Sequence, residues 1–73
     1  MAEEASIIAT LKGSKGIVQS EWMDEAVAQE ELERITAELN DPTGPQFISL
    51  GRNATVSRAD VMAVELHHPP SFA

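Results

Sequence analysis

One stretch of helical period, set between short segments of strand character, limits what this chain can fold into. From Asp24 onward Ala28, Leu32, Ile35 and Leu39 recur at steps of four, three and four, which stacks them on one stripe. Glu30, Glu31, Glu33, Arg34 and Glu38 lie off that stripe. The spacing predicts an amphipathic helix of about four turns, with Asp24 as its N-cap and Glu30 paired to Arg34 at the i,i+4 spacing. "NDPTGP" ends it, because Pro42 and Pro45 cannot continue the ladder and Asn40 and Gly44 suit turns. A helix with a single apolar stripe needs one surface to bury it against, and the rest of the chain reads as that surface.

Before the helix, "SIIATL" (6–11) and "IVQSEW" (17–22) are rich in Ile and Val and are separated by "KGSKG". Gly13 and Gly16 supply the positive φ angles that a hairpin loop needs. After the helix, "QFISL" (46–50) and "ATV" (54–56) read as strands joined by "GRN", in which Gly51 and Asn53 tolerate left-handed angles. "SRAD" then has capping-box spacing between Ser57 and Asp60 and predicts a single helical or 3-10 turn. "VMAVELH" follows in extended form, with Met62, Val64 and Leu66 on one face and Ala63 and Glu65 on the other. The order β-β-α-β-β-β gives an α+β domain, a small antiparallel sheet with one amphipathic helix packed on one face. The 73 residues make a single domain, with 1–5 and 69–73 expected as flexible tails.

Size and charge narrow the function. A chain of this length buries only roughly 60% of the surface it exposes when unfolded, so a partner that covers more of it is an advantage and a homo-oligomer is expected. Absence of cysteine excludes disulfide staples, thiolate catalysis and Cys-based metal sites. The N-terminus opens on two acids with only a short apolar stretch behind them, so neither a signal peptide nor a membrane span is expected and the reading is cytoplasmic. Twelve acids against five bases leave a net charge of -7, which argues against phosphate backbones and so against nucleic acid as the partner. Seven of those acids lie between Glu21 and Glu38, beside the single base Arg34.

Few residues suggest chemistry. His67 and His68 are adjacent, so on a strand they point to opposite faces and do not chelate a metal; they read as a solvated strand end or as interface residues where subunits meet. Paired acids at 24–25 and 30–31 would need a cleft to act as acid and base, whereas acids on an outward helix face are hydrated. With no Cys or Tyr and no histidine near a hydroxyl, nucleophilic machinery is missing, so neither an enzyme nor a cofactor is expected. Glu30, Glu31 and Glu38 form an acidic face suited to a basic partner, or to mimicry of nucleic acid against a protein that binds it. Trp22, the sole tryptophan, either covers the core edge or anchors a protein interface, and Phe72 in the proline-bearing tail docks on a neighbouring subunit or stays unattached. Lys12, Lys15, Arg52 and Arg58 would form an anion- or nucleic-acid-contacting edge if the hairpins lie side by side, and otherwise are scattered surface charges.

The hairpin turn, the capped single turn and the closing strand ending in "AVEL" resemble the C-terminal half of small uncharacterised bacterial and bacteriophage proteins. They are also similar to the strand, 3-10 turn, strand ending of SH3-like and Sm-like barrels, although an Sm-like chain begins with its helix. This likeness covers about twenty of the 73 residues and rests on pattern. The phage resemblance implies an accessory, host-interacting or virion protein of the host cytoplasm or the particle; the barrel resemblance implies RNA binding. Together these readings favour a non-enzymatic, acidic, self-associating protein-interaction module.

Overall fold

A computed structural model describes residues 3–69. Its elements run β1 (Glu4–Leu11), β2 (Ile17–Gln19), β3 (Met23–Asp24), α1 (Glu25–Asn40), β4 (Phe47–Leu50), β5 (Ala54–Ser57), a 3-10 turn (Arg58–Asp60) and β6 (Val61–His67). Strand β1 organises the rest, because Ala5, Ile7 and Ala9 alternate onto one fully buried face. It pairs antiparallel with β2 and β3 along one side and with β6 along the other, while β4 and β5 pair only with each other. Ile7 and Ala9 meet Ile35 of α1 and Ile48, Leu50 and Val56 of the second hairpin in one cluster, with Leu32, Leu39, Val61, Val64 and Leu66 at its margin.

The α+β class and the helix packed on one sheet face are as the sequence implies, but the strands divide into two sheets. Ile48 and Val56 sit opposite each other in the second hairpin, and both turn inward to the shared cluster. That hairpin therefore closes the core without joining the ladder of β1.

The first hairpin forms as expected, with Gly13 and Gly16 at φ 67 and 91 and the Leu11 N–H donating to the Gly16 carbonyl at 2.9 Å. Its second strand ends at Gln19, not at Trp22. Ser20 is the cause. Its N–H donates to the Ile7 carbonyl at 2.8 Å, but the Ile7 N–H donates to the Ser20 hydroxyl, also at 2.8 Å, so a side chain stands in for the ladder carbonyl and the backbone turns away. Pairing resumes when Met23 and Asp24 reach Ala5 and Glu4. This also corrects the expected 1–5 tail, since the strand begins at Glu4 and Ala5 is buried. Of the expected 69–73 tail, residues 70–73 lie outside the described residues.

The face of β6 is shifted by a bulge. Ala63 lies opposite Thr10 and Val61 opposite Leu11, which leaves Met62 as the extra residue. Val61, not Met62, therefore packs inward with Val64 and Leu66, and Met62 is 63% exposed. Neither capping expectation holds at the side-chain level. Asp24 and Ser57 occupy N-cap positions without side-chain cap bonds. The Glu25 N–H instead donates to the Glu3 carbonyl, and the 3-10 turn is tied by the Lys12 N–H to the Asp60 carbonyl and by the Arg58 N–H to the Gln46 carbonyl. In the second hairpin turn Gly51 alone takes a left-handed φ, of 66, so Asn53 is not left-handed.

Candidate functional site

Two regions stand apart from ordinary surface: the turn of the second hairpin and the outer border of β6. At Gly51 the left-handed backbone presents successive N–H groups to carboxylates from elsewhere in the chain. Glu21 accepts the Arg52 N–H through both oxygens at 3.0 Å, and Glu31 accepts the Gly51 N–H at 3.3 Å. A Cβ at Gly51 would stand 2.5 Å from the nearer Glu21 oxygen, so the close approach depends on glycine. Hydrogen bonding from the Arg52 backbone holds the Glu21 carboxyl below its ordinary range. The Arg34 guanidinium does the same for Glu31, and its own pKa is raised by Glu31 and Glu38.

Arg34 thus pairs with Glu31 and Glu38, not with Glu30, and also donates to the Ser49 carbonyl of β4 at 2.7 Å. Of the acidic face named from sequence, Glu31 joins helix to hairpin by accepting the Gly51 N–H, Glu38 pairs with Arg34 within the helix, and Glu30 remains exposed. Sequence reading missed Glu21 altogether. Its only signal is its place next to Trp22 where a strand pattern gives way to a helix, and the turn it holds is 31 positions away.

Of the four bases, Lys12, Lys15 and Arg58 lie at or beside the 3-10 turn, and Arg52 stands apart from them. Lys15 pairs with Asp60 at 2.8 Å, and Lys12 sits beside the same turn. The Arg58 guanidinium donates to the carbonyls of Leu39 and Asp41 at the C-terminus of α1, whose last turn carries no base of its own. Arg52 lies at the far end of the second hairpin, in a groove of about 330 Å³ lined also by Glu21, Trp22, Met23, Val27 and Glu31.

The border of β6 is different in kind. Ile7 turns its N–H and carbonyl toward Ser20, so its neighbours Ser6 and Ile8 turn theirs toward His67 and Glu65 of β6. Alternation then places the N–H and carbonyl groups of Val64 and Leu66 on the outer border, where no strand pairs with them among the described residues. Alongside runs a groove of about 460 Å³ lined by Thr36, Leu39 and Asn40 of α1, by Arg58, and by β6 from Val61 to Val64. The two histidines separate as adjacent strand residues do. His67 lies against Trp22, ring centres 5.8 Å apart, and His68 meets the Glu25 carboxylate at 2.8 Å. Trp22 is 43% exposed, and Phe72 falls outside the described residues.

Chemically, this border can take up another strand through main-chain hydrogen bonds, and the groove can receive an apolar side chain. Among the described residues no three acidic, histidine or cysteine side chains gather as metal ligands, and no helix is long and apolar enough to cross a membrane. Comparison of the chain with family models, with curated proteins and with solved structures finds no match.

Proposed function

We propose that this chain is a non-enzymatic interaction module that associates with protein, its own copies first, through the outer border of β6. One observation carries the reading. Among the described residues, a seven-residue strand presents unpaired ladder groups beside a groove of mixed polar and apolar lining, and its sequence "VMAVELH" has neither the Lys nor the Pro with which proteins blunt such borders. The bulge at Met62 limits pairing at one end and leaves the stretch from Val64 onward regular. A thin core adds to the case, since a domain of this length gains more from covering its surface than a larger one does. Such a module suits an accessory, host-interacting or virion protein. Light scattering across a concentration series tests it: the mass rises above that of one chain with concentration, and a single-chain mass at the highest concentration removes self-association.

A further inference from the structure

Resting on that reading, we propose that two copies pair β6 to β6 about a two-fold axis at Leu66. The ladder itself restricts the choice. Antiparallel partners must both turn their main-chain groups toward the shared border or both away, so a two-fold axis passes through a residue and not between two. Three axes near the middle of the open stretch remain, at Val64, Glu65 and Leu66.

An axis at Glu65 sets the two Glu65 carboxylates directly opposite each other in the close, non-hydrogen-bonded type of pair, which is repulsive. An axis at Val64 draws the bulged Met62 into the ladder opposite Leu66, where the backbone is irregular, and gives Glu65 only Ala63 to face. An axis at Leu66 uses residues 64–68 alone. It avoids the bulge and places Glu65 opposite His67 of the second copy twice over, a carboxylate facing an imidazole that can donate to it. His68 stays on the α1 side, against Glu25 of its own copy.

A peptide or unrelated protein on the same border would show no such fit to residues 65 and 67 of this chain.

The chain has no cysteine, so single-cysteine variants report the register directly. Residues opposite each other in a non-hydrogen-bonded pair lie about 4.5 Å apart at Cα, within disulfide range. Mixing Glu65→Cys with His67→Cys under mild oxidation is expected to give the mixed disulfide. Glu65→Cys linking to itself, or to Ala63→Cys, would mean another axis and would overturn this inference while leaving self-association through β6 intact. A dimer by light scattering with no disulfide from any of these would overturn both the register and the border. A single-chain mass throughout would overturn self-association as a whole. Glu65→Lys is expected to weaken the dimer by roughly twofold to thirtyfold, since it acts at two symmetry-related pairs.

Discussion

Strand β1 has a neighbour on each side, and the two neighbours end the sheet in opposite ways. On one side the chain from Ile17 to Asp24 pairs in two pieces, interrupted where the Ser20 hydroxyl replaces a ladder carbonyl. The second hairpin packs close by, and Glu21, next along the chain from Ser20, holds that hairpin's turn. On the other side β6 runs from Val61 to His67 with one bulge, and no strand lies beyond it among the described residues. A sheet edge can be silenced by breaking it and binding something over the break, or it can be left continuous and ready to pair. This molecule does both, and the difference separates the side that maintains the fold from the side that faces a partner.

The largest expected effect comes from breaking the sealed side. Ser20→Ala leaves the buried Ile7 N–H without an acceptor at the centre of the sheet, which costs about 1–3 kcal/mol. Urea unfolding measures it; a change within error would mean that water or the Ser20 carbonyl takes over the bond. Gly51→Ala attacks the same side from the hairpin. A side chain at φ 66 costs about 1–2 kcal/mol, and its Cβ drives into the Glu21 carboxylate. Thermal unfolding should show the loss, and Glu21→Gly in the Gly51→Ala background should not deepen it by a full further increment if the two residues act as one contact.

How much of this was legible follows the range of the contacts. The helix, both hairpins and the 3-10 turn announce themselves through period and glycine position, which are local. The break at Ser20 does not, because "IVQSEW" alternates well enough for a strand and a hydroxyl replacing a carbonyl leaves no pattern. Met62 was assigned to the wrong face for a related reason: a bulge shifts alternation by one residue, and the period on either side of it looks regular. Arg34 shows the same limit. The i,i+4 spacing pairs it with Glu30, whereas in the fold it turns to Glu31 and Glu38, on the side where Ser49 and Gly51 come near. That β6 is a strand was readable, but that it is a border depends on strand order.

A smaller effect sharpens the comparison through pH. Glu21 and Glu31 both have folded-state pKa values below the ordinary 4.5, so each stabilises the fold above that value and loses its contribution as pH falls through it toward the folded pKa. Glu21→Gln is therefore expected to cost less than about 1 kcal/mol at neutral pH, given its contact with solvent, and to flatten the acid limb of the stability curve. Urea midpoints between neutral pH and about 3 give the slopes. Parallel curves for the two proteins would mean that the turn N–H groups do not depend on the charge of Glu21.

The smallest expected change in stability is the most informative about the open side. Met62→Lys places a charge at a bulged, 63% exposed position of β6, so the fold should hold within about 0.5 kcal/mol. The same charge would stand in the groove and beside the ladder, the device by which proteins keep edges from pairing, so association should be lost. Ile17→Lys makes the matching change on the other side of β1, at a residue 60% exposed, and should leave both stability and association as they were. The pair of variants separates a specific border from a general loss of apolar surface. If both abolish association, hydrophobicity alone drives it; if only Ile17→Lys does, the partner binds the side that looks sealed, and the roles assigned to the two borders are reversed.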